Sequence, residues 1–414
     1  MRILHVNKFL YRHGGAEAYM YELAALQIAA GDEVAFYGME HPQNEPMPYS
    51  RHFPSYVELR ETSMASKVKA SARVFYSRSA EAGMEAVLHD FRPDAVHLHN
   101  IYHQLSPSVL RPLARHGVPA VMTLHDYKLA CPNYQFLNHG VICEACLGGA
   151  FLHATMRRCK DGSLAASILV TVEAYAHRIA GAYSPIDRFI APSRFLANKM
   201  AQARIFPDRL RHVNHFVEIP SMPARTEPRS GFVYAGRLSP EKGVDVLVAA
   251  AGMVDGAKVD VLGDGPERPR LERLAAELAP GRVRFRGRVT KAEVQAAMRA
   301  SLAAVVPSRW YENQPMAVLE AMACATPPIG TSLGGMPELV ADGVTGFIIE
   351  PNAPAQLADA MRKLMADPDF AVAMGQEARA VVGAQFTPAL HLERIVEVYK
   401  EATAAHVAVA RKPV

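Results

Sequence analysis

The chain has 414 residues, half of them hydrophobic, and its 45 basic and 41 acidic side chains leave a formal charge of +4. That length predicts two domains of roughly 200 residues each, and the near balance of charge excludes the electrostatic footprint of a nucleic-acid binder. No apolar run at the start has signal-peptide length and none later reaches the ~18 residues of a membrane span, so a cytoplasmic protein with reduced thiols is expected.

The segment RILHVN (2–7) reads as a buried strand, KFLYRHGG as a loop, and Ala16–Ala30 as a helix ending at Gly31. Strands follow at Glu33–Tyr37, Ala95–His99 and Ala120–Leu124, with helical patterns between them. One of these, near 64–89, carries Lys67, Lys69, Arg73 and Arg78, read as a solvated face in preference to a peripheral membrane contact at the inner leaflet. A second set of strands begins at GFVYAGRL (231–238) and continues through KVDVLGDGP, VRFRGRV, LAAVVPS and TPPIGTS. Strands alternating with helices predict an α/β fold of doubly wound, Rossmann-like parallel sheets. The expected division is 1–217 with a Cys-rich insertion at 131–160, a Pro- and Arg-rich linker at 218–230, a second domain at 231–386, and a C-terminal helix within 387–414 whose packing partner the pattern leaves open.

In such sheets, ligands lie beyond the carboxyl ends of strands, where helix N-termini offer free N–H groups to anions. GRLSPEKG puts Arg237 just past a strand and Lys242 five residues on, two cations suited to a diphosphate. Gly263 in GDGP permits close backbone approach, or an ordinary turn. The stretch VVPSRWYENQPMAVLEAMACATPPIG places Glu312 before a helix and Glu320 eight positions later inside it, with Pro315 in the first turn and Asn313 or Gln314 as caps.

GRLSPEKG, VLGDGP, PSRWYENQPMAVLEAMACATPPI and GGMPELVADGVTGFI resemble the nucleotide-binding half of the retaining, nucleotide-sugar-dependent glycosyltransferases of family 4. GGAEAYMYELA, DAVHLHN, TLHDY, APSRFL and FTPALHLERIVEVY extend the resemblance over nearly the whole chain. It implies the GT-B fold of two facing domains with a cleft between them. It also implies that Glu320 binds ribose hydroxyls and that Glu312, with the backbone of Asn313, Gln314, Pro315 and Met316, holds the donor sugar. Arg237 and Lys242 would bind the diphosphate, with Gly14 and Gly15 approaching it across the cleft. His125 would touch donor sugar or acceptor, and backbone near Arg288 and Val289 would meet the base. Arg237, Lys242 and the helix dipole stand where other transferases use a divalent cation, so no catalytic cofactor is expected. The family also implies front-face transfer. One departure is Ala325, where the family has glycine. The competing readings are a non-hydrolysing nucleotide-sugar epimerase, which would turn over without acceptor, and a non-enzymatic zinc-containing binding module with a basic patch at Arg157, Arg158 and Lys160.

Cys131, Cys143, Cys146 and Cys159 have the spacing C-x11-C-x2-C-x12-C, in which only the central pair is a standard zinc half-site. A structural zinc site of four thiolates is the leading expectation, ahead of an iron–sulfur cluster, disulfides or plain thiols. Such a closed site cannot activate water, so it would clip the acceptor side of the cleft, where Tyr127, Lys128 and Asn133 would meet a sugar, lipid-linked or small-molecule acceptor. His97, His99 and His103 invite a metal reading, but histidines at strand ends beside a sugar cleft serve more often as hydrogen-bond partners, and His99 is placed on the acceptor side.

Overall fold

The computed structural model describes residues 1–12, 14–56, 73–221 and 228–410. Its first sheet holds β1 (Arg2–Val6), β2 (Glu33–Tyr37), β3 (Ala95–Leu98) and β4 (Ala120–Thr123). A two-stranded antiparallel hairpin, β5 (Leu137–Asn138) and β6 (Val141–Ile142), interrupts it before β7 (Arg188–Ala191) and β8 (Leu210–His212) complete it. The second sheet holds β9 (Phe232–Ala235), β10 (Val259–Leu262), β11 (Val283–Gly287), β12 (Ala303–Val306), β13 (Pro328–Thr331) and β14 (Phe347–Ile349). Both six-stranded sheets are parallel, in the orders β2-β1-β3-β4-β7-β8 and β11-β10-β9-β12-β13-β14. Strand order therefore reverses between β1 and β3 and between β9 and β12, the two places where such sheets bind ligands. β3, β4, β12 and β13 are buried along their whole length, as strands covered on both faces must be.

β2 has the predicted bounds, while β3 and β4 each stop one residue short, leaving His99 and Leu124 in the loops at their carboxyl ends. The expected helix near 64–89 is described as Arg78–Phe91, capped by Ser77, whose hydroxyl accepts from Ala80 N–H at 3.2 Å. Lys67 and Lys69 lie outside the described residues, and Arg73 donates to the Ser55 carbonyl at 3.2 Å.

After the second sheet, the helix Pro388–Ala410 packs against the helix Gly15–Ala29, β4 and β7 of the first. Its Ile395, Val398, Tyr399 and Ala402 share a core with Ile3, Tyr19, Leu23 and Val121. Glu401 accepts from Arg188 at 3.0 Å and Arg211 at 2.6 Å.

Loops of the two sheets also meet directly. Glu338 accepts from the backbone N–H groups of Arg194 and Phe195 at 2.8 and 2.6 Å, capping the helix Arg194–Gln202 from the opposite domain. Lys291 pairs with Glu22 at 3.1 Å.

Ala325 has φ +53 in the turn after the helix Met316–Ala323, and its carbonyl packs where a side chain on Gly375 would stand. A left-handed alanine costs about 1–2 kcal/mol, and the added flexibility of glycine in the unfolded chain cancels part of the relief. Ala325→Gly is expected to raise unfolding free energy by roughly 0.5 kcal/mol, read from the urea midpoint.

Candidate active site

The loops leaving β9 and β12 flank the reversal in the second sheet and carry its charged residues. The chain passes Arg237, makes a single turn at Pro240–Lys242 and enters the helix Val244–Gly252. Gly243 links the turn to the helix at φ +65, and a Cβ there would lie 2.0 Å from the Pro307 carbonyl oxygen, so only glycine lets the two loops close together. That approach brings Lys242 Nζ to 2.7 Å from Glu312 Oε1. Glu312 is 6% exposed and accepts a second hydrogen bond from Ser308 Oγ at 2.5 Å. Burial alone would raise its pKa, but Lys242, Ser308 and Trp310 outweigh burial and hold the carboxyl below its usual range. Lys242 Nζ also stands 4.9 Å above the Trp310 ring. Arg237 pairs with Glu241 at 3.0 Å and keeps most of its side chain in solvent.

Pro315 is the N-cap of the helix Met316–Ala323, which has no side-chain cap. Asn313 and Gln314, the expected caps, are used across the cleft instead. Asn313 Nδ2 donates to the Leu124 carbonyl at 3.1 Å, and Gln314 Oε1 accepts from the His215 N–H at 2.5 Å. The positive end of the helix dipole therefore keeps no carboxylate or amide cap beside Glu312. The side chain of Glu320, little more than one turn inside, makes no hydrogen bond or ion pair among the described residues. Burial pushes its pKa up to about 7, against the pull of Lys291.

On the facing side, His125 follows β4, half-buried, with its ring against His215 at 5.7 Å. Its Nε2 meets His99 Nδ1 at 3.0 Å. Burial pushes its pKa down to about 3, so the imidazole is neutral. Gly14 caps the helix Gly15–Ala29 in an extended conformation, and a Cβ on Gly15 would meet nothing within 4 Å, which leaves open space before this helix end. Burial lowers the pKa of Lys8, just past β1, against Asp126 and Glu17, and burial raises that of Asp126 to about 6.

Two family models match the chain: the "Glycosyl transferase 4-like domain" over residues 14–214 and "Glycosyl transferases group 1" over 220–381. Together they take in both faces of the cleft. The chain belongs to the family 4 glycosyltransferases. It is 32% identical to alpha-maltose-1-phosphate synthase of Mycobacterium tuberculosis over 52% of its own length and 63% of that protein. It is 29% identical to alpha-D-kanosaminyltransferase of Streptomyces kanamyceticus over 41% of its length and 45% of that protein. The aligned parts thus cover less than two thirds of either relative. Sucrose-phosphate synthase of Thermosynechococcus elongatus shares the GT-B fold at TM-score 0.73 and 21% identity, covering 98% of this chain and 99% of that one. Anabaena HepE, solved in complex with UDP and glucose, aligns at TM-score 0.66 and 17% identity, over 97% and 99% of the two chains.

In this chain, Arg237, Lys242 and Glu312 gather at one strand-order reversal, followed by Asn313 to Met316 and Glu320. Gly263 has a packing role: at φ +128, a Cβ there would lie 1.9 Å from the Gly236 carbonyl oxygen. Arg288 is exposed and Val289 half-buried just past β11. Ser308 and Trp310, inside the PSRWYENQ motif, were missed by the sequence reading. Only their hydroxyl and indole hydrogen-bonding capacity beside a buried carboxylate marks them.

The residues expected on the acceptor side are engaged elsewhere. Lys128 is 6% exposed and ion-paired to buried Glu173 at 2.7 Å. Tyr127 packs against Phe136, and Asn133 Nδ2 donates to the Leu137 carbonyl at 3.1 Å. His99 is fully buried between His5 and His125. Lys128, Asn133 and His99 spend their polar ends on partners within the protein, whereas the Tyr127 hydroxyl is buried without a hydrogen-bond partner among the described residues.

The structure does not support the four-thiolate zinc site. Among the described residues, the one group of three metal-ligating side chains with ligand atoms within 4.8 Å of one another is His5, His97 and His99. All five cysteines are free, and Cys143 Sγ accepts from the Arg157 guanidinium at 3.1 Å. Burial first, and neighbouring thiols second, raise Cys159 to about 11, which keeps it protonated. The insertion is instead clipped through Glu144, which accepts from Tyr311 Oη at 2.7 Å and pairs with Lys199 at 2.7 Å. The histidine trio is not a metal site either. His5 bonds Gln27 and His99, His97 bonds Tyr399 and Thr123, and His99 bonds His5 and His125, so no ring nitrogen keeps a free lone pair.

Proposed function

We propose that the protein is a retaining glycosyltransferase that moves a sugar from a nucleoside diphosphate to a hydroxyl of a carbohydrate or lipid-linked acceptor, in the assembly of a surface polysaccharide or glycolipid. The observation that carries this reading is the pair of Lys242 with buried Glu312 at 2.7 Å beside an uncapped helix that bears the unpartnered Glu320. HepE, with the same fold, was solved with UDP and glucose, and TarM of S. aureus with UDP.

The roles follow from charge. As the bond between the anomeric carbon and the diphosphate oxygen breaks, its electron pair goes to the phosphate. Lys242, Arg237 and the helix N-terminus stabilise that charge. The acceptor oxygen bonds to the anomeric carbon on the face the phosphate leaves, and its proton passes to the departing phosphate oxygen. Glu312, kept ionised by Lys242, accepts from hydroxyls of the transferred sugar. Glu320 accepts from the ribose hydroxyls.

A thermal-shift screen of uridine, guanosine and adenosine diphosphates tests the reading. One of them at about a hundred times its Kd should add about 2.7 kcal/mol of stability. Absence of a shift with all three rejects the nucleotide-sugar reading.

A further inference from the structure

The helix Leu164–Ile179, which precedes β7, has its polarity inverted. Its buried residues are Ser167, Val170, Thr171 and Glu173, and three of these are polar. Each polar one is bonded inside the domain. Ser167 Oγ accepts from the Lys160 N–H at 3.0 Å, Thr171 Oγ1 accepts from Thr155 Oγ1 at 2.9 Å, and Glu173 accepts from Lys128 Nζ at 2.7 Å. The exposed residues of the same helix are Leu164, Ala165, Ile168, Val172 and Ile179, and none is polar. At about 100° per residue, Leu164, Ile168, Val172, Ile179 and the half-buried Tyr175 fall within an arc of about 80°.

A shorter helix, Leu152–Met156, extends this face. Tyr175 Oη accepts from the Leu152 N–H at 3.2 Å, which sets Leu152 beside the stripe, and Met156 follows one turn on. Sixteen large apolar side chains are exposed among the described residues, and six of them lie within 152–179, with exposures from 44% for Ile168 to 85% for Ile179. Apolar side chains scattered singly over a surface are ordinary, whereas a concentration on one face marks an interaction surface.

The charge around the face is mostly of one sign. Arg157 and Arg158, both exposed, follow Met156 directly, and Arg178 precedes Ile179. Between 145 and 186 the acidic residues are Asp161 and Glu173, and Glu173 is buried against Lys128. Apolar side chains rimmed by arginines fit a partner that is apolar within and anionic at its edge, as the boundary of an anionic bilayer is. A second copy of the chain fits less well, because a two-fold interface would set this patch against itself with Asp161 alone to face the arginines. The helix has 16 residues, short of the ~20 that cross a membrane, and no helix among the described residues is long and apolar enough to span one.

We propose that the face formed by Leu152, Met156, Leu164, Ile168, Val172 and Ile179 docks on an anionic lipid surface, with Arg157 and Arg158 at the headgroups. Its position gives the docking a use. Arg158 and Gly162, beside the first turn of the stripe, also line a cavity of about 410 Å³ with Pro240, Glu241 and Arg309 of the second domain. Those three belong to the loops that carry Arg237, Lys242 and Glu312. A lipid-linked acceptor held in that surface enters beside the donor loops. This consequence rests on the transfer proposed above, whereas the docking does not.

Co-sedimentation of the full chain with vesicles tests the docking, using phosphatidylcholine alone and an equal mixture of phosphatidylcholine and phosphatidylglycerol. At low salt the mixed vesicles should bind roughly thirtyfold more tightly, as two arginines near an anionic surface provide, and the difference should shrink as salt is raised. Ile168→Gln/Val172→Gln puts good helix formers at two exposed positions and should weaken binding to the mixed vesicles by about tenfold or more. Leu152→Gln/Met156→Gln, on the other helix, should do the same, so the result does not hang on one variant folding. Neither pair lies on the donor loops. The thermal shift given by nucleoside diphosphate without lipid should be the same in the parent and both variants, which separates failure of the docking from failure of the nucleotide-sugar reading. No binding to either vesicle, equal binding to both, or parent-like binding by both variants overturns the proposal. A dimer in sedimentation velocity that either variant dissolves, without vesicle binding by the parent, assigns the face to a second copy and overturns it as well.

Discussion

Lys242→Met is expected to abolish transfer and to lower the stability of the free protein by about 3 kcal/mol, because it strands the Glu312 carboxylate in a buried site. Glu312 is 7% exposed at its side chain and Lys242 23%, so the carboxylate has little access to water as a substitute partner. Adding Glu312→Gln removes the stranded charge. The double variant Lys242→Met/Glu312→Gln should recover most of the lost stability while remaining inactive, a coupling that urea midpoints and turnover measure together. A double variant no more stable than Lys242→Met would mean that the pair does not hold these loops. The pH dependence has a defined sign. Because the Glu312 pKa is depressed, its contribution is present above the unfolded carboxyl pKa and is lost as pH falls through the folded value.

Glu320 carries the opposite sign. Its pKa is raised from 4.5 to about 7, so the folded state binds the extra proton and the stability it contributes is lost as pH rises between these values. Glu320→Gln should therefore be more stable than the parent at pH 8 without nucleotide, by roughly 2 kcal/mol after allowance for its partial exposure. Nucleotide affinity should move the other way. The ionised carboxylate is the acceptor for ribose hydroxyls, so parent affinity should rise about tenfold per pH unit below pH ~7 and then level off. In Glu320→Gln, affinity should be weaker by at least tenfold and flat with pH. Calorimetric titration across pH 5.5–8.5, at roughly half-unit steps, reads both slopes. Equal slopes in parent and variant would remove Glu320 from the nucleotide site.

The parallel sheets and the cluster on GRLSPEKG and PSRWYENQPMAVLE were legible because they are local: a buried strand, a turn and a helix start sit within one short window. Glu312 and Glu320 could be placed relative to one helix without any knowledge of the rest of the chain. What the sequence concealed depends on contacts between distant segments. Lys128 looks like a free cation after a strand until Glu173, on another helix, comes to 2.7 Å. The cysteine spacing suggested zinc, but whether four thiols converge depends on the path of the intervening loop, and Arg157 takes Cys143 as an acceptor. Gln27 and Tyr399, separated by 372 positions, carry no local mark of their hydrogen bond. Ala325 was visible as a departure from the family glycine, and its positive φ supplies the physical reason glycine is favoured there.

The carboxylate of Glu338, which caps a helix of the other domain, makes domain separation a helix-fraying event as well as a rigid rotation. When the lobes part, the amides of Arg194 and Phe195 lose a charged acceptor and must find water, and the first turn of Arg194–Gln202 loosens. The free energy of one helix end is thus coupled to the contact between the two lobes, and resists their separation.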